Sequence, residues 1–242
     1  MEERIGFIGL GVMGKPMARN LRAAGLDLVV HSRSPGPVDE LVAEGAERAS
    51  DPSELAAGVD VVITMVPDTP DVDRVLFGEG GVAGGIRPDS LVIDMSTIRP
   101  TEASRFAERL AATDVAMLDA PVSGGERGAI DGTLSIMVGG QEDAFARALP
   151  ILEILGGNVT HVGGSGAGQV AKACNQLIVG ATIQAVGEAL VLAAKAGVDP
   201  ATVREALLGG FAGSKILEVH GQRMLRGDFA PGFRSALHLK DA

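Results

Sequence analysis

The chain has 242 residues and 46% hydrophobic content, which excludes disorder and allows one large or two modest domains. Its formal charge of -10 repels nucleic-acid phosphates and anionic membranes, so neither is expected as a partner. A single cysteine, Cys174, excludes an intramolecular disulfide and a cysteine-rich zinc site, and no metal is expected; the lack of Tyr excludes carbonyl chemistry that draws its proton from a phenol.

The N-terminus, Met1-Glu2-Glu3-Arg4, is acidic and leads into an apolar run soon broken by glycine, unlike a secretory signal. Short apolar runs then alternate with helical patterns, the rhythm of a doubly wound α/β sheet. Strands are predicted from Ile5 to Ile8, Asp27 to His31, Val61 to Met65, Leu91 to Asp94, Val115 to Leu118, Leu134 to Val138 and Val159 to Val162. Helices are predicted to start near Met13, Pro37, Pro52, Asp71, Pro100 and Glu142, the prolines suiting first-turn positions where their missing N–H costs nothing.

Gly9-Leu10-Gly11-Val12-Met13-Gly14 follows the first strand and opens the first helix, the setting of a dinucleotide fingerprint. The first glycine permits a tight turn, the second lets a pyrophosphate approach the backbone, and the third packs helix against strand. An NAD site usually ends its second strand with an acid that holds the ribose hydroxyls. Here that stretch reads His31-Ser32-Arg33-Ser34, and no acid follows until Asp39. Arg33 with Ser32 and Ser34 can bind a 2′-phosphate, which favours NADP over NAD; an ordinary solvated arginine is the alternative. Met65-Val66-Pro67 and Met95-Ser96-Thr97 end two further strands at the ligand-binding edge, where Thr97 either bonds the nicotinamide ribose or caps the helix entered at Pro100.

Ser123-Gly124-Gly125 follows another predicted strand and can form an anion nest for a carboxylate, or a merely flexible loop. After Gly163-Gly164-Ser165-Gly166 the alternation stops, dividing the chain into a dinucleotide-binding domain, 1–163, and a helical domain, 164–242. A long pattern from Gly168 to Ala196, apolar nearly all round, predicts a buried connecting helix of about 40 Å. Its charge-free part, between Lys172 and Glu188, contains Asn175, Gln176, Thr182 and Gln184 and is judged too short to span a bilayer, so a cytoplasmic protein is expected. Helices from Pro200 to Leu208, from Ser214 to Arg226 and from about Arg234 follow, and the chain ends within this domain. Such an apolar helical domain predicts a homo-oligomer that buries it.

Lys172 lies in the first turns of the long helix, where charge is expensive, with Asn175 and Gln176 three and four residues on. A protonated lysine can deliver a proton to a carbonyl oxygen as hydride reaches carbon; a lysine that only snorkels to solvent is the alternative. Lys240 is a candidate second cation that would lower its pKa. Among the four histidines, His161, at a strand end, is the nearest competitor for acid–base work and reads better as a surface residue.

These segments together resemble the β-hydroxyacid dehydrogenase family: the Gly9 to Gly14 turn, Asp94-Met95-Ser96-Thr97, Asp119 to Gly125, Gly166 to Asn175 and Lys240-Asp241. The resemblance spans essentially the whole chain and implies a Rossmann-type domain followed by an all-α domain, here incomplete at its C-terminus. It implies Lys172 as general acid/base with Asn175 orienting substrate, Ser123, Gly124 and Gly125 as carboxylate binders, and Thr97 as a cofactor contact. Phe233, Lys240 and Asp241 match the segment that closes the site, Lys240 reaching the cofactor and Phe233 and Asp241 the substrate. The expected substrate is a small carboxylate-bearing semialdehyde or hydroxy acid. Leu207 to Ser214 and Ile216 to Gly221 look most like the reductases of tartronate semialdehyde within the family, with 3-hydroxyisobutyrate oxidation as one alternative and a catalytically silent cofactor-binding protein as another.

Overall fold

The structure is a computed structural model that describes residues 3–228. The predicted helix from Arg234, and with it Phe233, Lys240 and Asp241, lies outside the described residues. The chain divides into two compact units, Met1–Lys172 and Ala173–Ala242.

The first unit is built on a nine-stranded sheet. Its strands are β1 (Ile5–Ile8), β2 (Leu28–His31), β3 (Glu47–Arg48), β4 (Val61–Thr64), β5 (Leu91–Asp94), β6 (Ala116–Asp119), β7 (Val122–Ser123), β8 (Leu134–Gly139) and β9 (Gly156–Gly163). They run in the order β3-β2-β1-β4-β5-β6-β8-β7, with β9 paired to β8. The first six are parallel; β8 is antiparallel to β6 and β7, and β9 parallel to β8. The intervening helices are α1 (Gly14–Ala23), α2 (Pro35–Ala43), α3 (Pro52–Ala57), α4 (Thr69–Phe77), α5 (Pro100–Ala111), α6 (Gly125–Asp131) and α7 (Glu142–Leu155).

The apolar runs of β1, β4 and β5 are buried along their whole length, as strands covered on both faces require. Successive side chains serve opposite faces. Phe7, Ile63 and Ile93 join Met17 and Leu21 of α1 and Ile151 and Leu152 of α7, whereas Ile8, Val62 and Val92 join Leu55 of α3, Val72 of α4 and Phe106 of α5. Since β2 and β4 flank β1 on opposite sides, the chain leaves β1 and β4 in diverging directions and opens a crevice at their carboxyl ends.

The doubly wound sheet followed by helices agrees with the fold class expected from sequence. Four short elements were missed: β3, β7, α6 and a 3₁₀ turn at Val82–Gly84. The last strand also begins at Gly156, directly at the end of α7, rather than at Val159.

Helix α8 (Ala167–Lys195) crosses the division between the units, and α9 (Pro200–Leu208) and α10 (Lys215–Leu225) follow. Asp199 caps α9 by accepting the N–H groups of Ala201 and Thr202, with Pro200 at the first turn as predicted. Val186 and Leu190 of α8 pack with Leu217 of α10. Two expectations for α8 need correction. It is not a buried helix within the described residues, because Leu177 (74% exposed), Ile178 (65%) and Leu192 (69%) face outward, α9 and α10 being too short to cover it. Nor does the charge-free part between Lys172 and Glu188 set its limit: the helix is 29 residues long and runs past both, and with an 18-residue window of mean hydropathy 1.9 it is long and apolar enough, by length and composition only, to cross a membrane.

Candidate active site

The carboxyl ends of β1, β4, β5 and β6 form the candidate site. At the glycine turn each fingerprint residue meets a different constraint. Gly9 has φ +99, and a Cβ there would lie 2.3 Å from the Met65 carbonyl oxygen. A Cβ on Gly14 would lie 1.9 Å from the Gly9 oxygen. At Gly11 a Cβ would meet nothing within 4 Å. Folding therefore accounts for the first and third glycines, while the second faces open space, as a backbone approached by a pyrophosphate should. Met13 forms the N-cap of α1 without a side-chain bond, and the first turn of α1 contains no acid, so its positive end is open to an anion. These residues fit a dinucleotide. Leu10 is buried beneath the turn and Val12 is exposed beside it.

Ser32 joins this turn, its Oγ accepting the Leu10 N–H at 3.4 Å. Arg33 is 74% exposed, with Asp71 Oδ1 at 3.5 Å from its Nη1 as a distant ionic neighbour. Ser34 is exposed at the N-cap of α2 and makes no side-chain cap. His31 faces the Ala49 carbonyl through Nδ1 at 3.2 Å.

The loops after β4 and β5 are tied together. Ser96 Oγ accepts the Val66 N–H at 3.0 Å, and Thr64 Oγ1 donates to Asp94 Oδ1 at 2.7 Å. Met65 and Val66 are half-buried and Pro67 is exposed. Thr97 is half-buried and lies two residues before Arg99, the N-cap of α5. Asp94 is fully buried, and among the described residues its Oδ2 has no hydrogen-bond partner. Burial pushes its carboxyl up to about 6 against the hydrogen bonds from Ser96 and Thr64, with Asp119 adding a like charge.

Asp119 ends β6 and turns its carboxylate onto the start of α8: Oδ1 accepts the Gly166 N–H at 2.7 Å and Oδ2 that of Gln169 at 2.9 Å. Burial raises its pKa although these backbone bonds favour the charged form. Lys172 follows within the same unit at 8% exposure, which counts against a side chain that merely snorkels to water. Asn175, in the second unit and one helical turn along α8, donates through Nδ2 to Gln176 Oε1 at 2.9 Å.

Ser123 is half-buried in β7, paired with Ser135 of β8, and Gly124 and Gly125 follow with φ +137 and +62. The predicted loop is thus a short strand leading straight into α6, and both glycines are exposed. His161 has a structural engagement, its Nε2 facing the Gly140 carbonyl at 2.8 Å and its ring stacked on Phe145. Among the described residues there is no cluster of three metal-ligating side chains. The residues that sequence reasoning missed are Asp94, Asp119 and Gln169, which hold the loops and helix of the site together.

Residues 4–164 match the family described as the NAD binding domain of 6-phosphogluconate dehydrogenase, and residues 166–242 the one described as NAD-binding of NADP-dependent 3-hydroxyisobutyrate dehydrogenase. The chain is 53% identical over 239 residues to the 2-hydroxy-3-oxopropionate reductase of Escherichia coli, covering 98% of this chain and 81% of that one. It is 41% identical to the 3-hydroxyisobutyrate dehydrogenase of Pseudomonas aeruginosa over 98% of this chain and 82% of that one. The structure of Mycobacterium tuberculosis 3-hydroxyisobutyrate dehydrogenase with L-serine superposes with a TM-score of 0.90 at 37% identity, over 100% of this chain and 84% of that one. With a dinucleotide turn of this geometry and relatives of this similarity, the chain belongs to the β-hydroxyacid dehydrogenases, NAD(P)-dependent oxidoreductases whose members act on small hydroxy acids and semialdehydes.

Proposed function

We propose that the chain reduces tartronate semialdehyde (2-hydroxy-3-oxopropionate) to glycerate with NADPH as the preferred reductant. The observation that supports it most is the burial of Lys172, a cation kept largely from water in the first turns of α8. The name of the Escherichia coli relative supports the choice of substrate. The glycine turn from Gly9 to Gly14 would hold the dinucleotide, whose nicotinamide would supply the hydride. The Lys172 ammonium donates a proton to the aldehyde oxygen, so that C=O becomes CH–OH and the lysine is left neutral until it is reprotonated. Thr97 holds the nicotinamide ribose, Ser123, Gly124 and Gly125 bind the substrate carboxylate, and Asn175 orients the substrate. Phe233, Lys240 and Asp241 lie outside the described residues; the family resemblance assigns Phe233 and Asp241 to the substrate and Lys240 to the cofactor.

The exposure of Arg33 and the lack of an acid in the His31–Ser34 stretch that ends β2 support NADP: the exposed guanidinium, ion-paired with Asp71 at 3.5 Å, can turn to a 2′-phosphate. Oxidation of 3-hydroxyisobutyrate is the second reading, favoured by the Pseudomonas relative. We place the enzyme in the cytoplasm as a homo-oligomer whose second copy covers the outward apolar side chains of α8. The test is the initial rate of tartronate semialdehyde reduction with NADPH and then NADH, beside methylmalonate semialdehyde. A higher kcat/KM for the latter would overturn the substrate assignment.

A further inference from the structure

Gln169 is 1% exposed, and its side-chain amide is bonded at both ends. Oε1 accepts the Ile98 N–H at 3.0 Å, and Nε2 donates to the Ser96 carbonyl at 2.8 Å. The two bonds bracket Thr97, gripping the loop after β5 as a neighbouring strand would grip a residue between paired partners. Its own N–H donates to Asp119 Oδ2 at 2.9 Å, which fixes the same helical turn to the end of β6. The helix backbone touches the sheet here: a Cβ on Gly168 would lie 2.4 Å from the Met137 carbonyl oxygen and 2.6 Å from that of Asp119. Lys172 follows Gln169 at i+3, on the same side of α8.

We infer that Gln169 is a positioning residue for the reaction: its amide sets the separation between the loop that carries Thr97 and the turn that carries Lys172. Hydride and proton must reach adjacent atoms of one carbonyl group, so that separation governs how often both are in reach. A buried glutamine serving only the fold would show itself in stability and leave turnover alone. The inference rests on the roles given above to Lys172 and Thr97.

Gln169→Glu tests it through pH. The substituted side chain has the same shape and still accepts from Ile98, but an ionised carboxylate sets an oxygen against the Ser96 carbonyl. Protonated, the carboxyl donates to that carbonyl and restores the grip, and burial raises its pKa toward the assay range. Expected is a kcat near that of the unsubstituted enzyme at the acid end of the profile, falling about 100-fold as pH rises, with cofactor KM little changed. Gln169→Leu, which has neither bond, should lose about 100-fold at every pH. A Gln169→Glu profile that superposes on that of the parent enzyme overturns the inference, as does undiminished turnover in Gln169→Leu. A pH-independent loss in Gln169→Glu that tracks its thermal stability would do so too. If Gln169→Leu does not fold, the Gln169→Glu profile decides alone. Lys172→Ala in the same assay separates the two levels: full turnover there removes the proton donor and the positioning role with it. An inactive Lys172→Ala beside unaffected Gln169 variants removes the positioning role only.

Discussion

Thr64 donates its hydroxyl hydrogen to Asp94 Oδ1 across 2.7 Å, joining the ends of β4 and β5 inside the sheet. Among the described residues the second carboxylate oxygen of Asp94 has no hydrogen-bond partner, and burial pushes its pKa from 3.8 up to about 6. The folded chain therefore binds this proton more tightly than the unfolded chain does. Ionised Asp94 weakens the fold fully above pH 6, and that cost disappears as pH falls below about 4. Asp94→Asn removes the titration. In urea unfolding, the stability of the variant relative to the parent should shift by about 2 kcal/mol against the variant as pH is taken from about 7.5 to about 4.5. A difference that stays constant with pH would mean that Asp94 titrates as an ordinary carboxyl.

The glycine turn permits folding and cofactor binding to be separated by two single substitutions. Gly14→Ala drives a methyl group into the Gly9 carbonyl and should cost about 1–3 kcal/mol of stability. Gly11→Ala meets no protein atom within 4 Å and should melt as the parent does, yet it encroaches on the pyrophosphate. A rise of at least about tenfold in the NADPH Kd, measured by fluorescence titration, is expected. Unchanged affinity would place the phosphates elsewhere.

Lys172→Ala should lower kcat by at least about 100-fold while NADPH affinity stays within a small factor. The measurement is steady-state reduction of the semialdehyde beside equilibrium cofactor binding. Parallel loss of both would make the lysine a structural residue of α8.

Arg33→Ala should raise the NADPH KM by about 10–100-fold, the worth of a charge-assisted bond to a phosphate, and leave the NADH KM nearly unaltered. Equal effects on the two cofactors would leave Arg33 as a solvated turn residue.

The outward side chains Leu177, Ile178, Val191 and Leu192 of α8 should be covered in solution by a second copy. Light scattering at micromolar concentration should then give at least twice the mass of the chain, and Leu177→Lys with Leu192→Lys should reduce it to that of a single chain. A monomeric parent protein would refute the assembly.

Much of the sheet was legible because a strand buried on both faces leaves an uninterrupted apolar run, as in Val61–Thr64 and Leu91–Asp94. Two-residue strands such as Glu47–Arg48 have no period to detect, and α6 opens on a glycine pair that reads as a turn. In the candidate site, glycines and Lys172 stood out because their chemistry is unusual for their setting. Gln169 did not: polar residues on a helix usually face water, and its value lies in two backbone groups some seventy positions away, at Ser96 and Ile98. The buried acids were equally silent, since Asp94 and Asp119 follow apolar runs where a solvent-facing strand end is the simpler reading.

The boundary between the compact units falls just after Lys172, within a continuous helix. The proposed proton donor thus belongs to the same compact unit as the glycine turn, while Asn175 belongs to the other. The roles proposed for hydride and proton delivery would then both be carried by the first unit, and changes confined to the helices of the second would leave them in place.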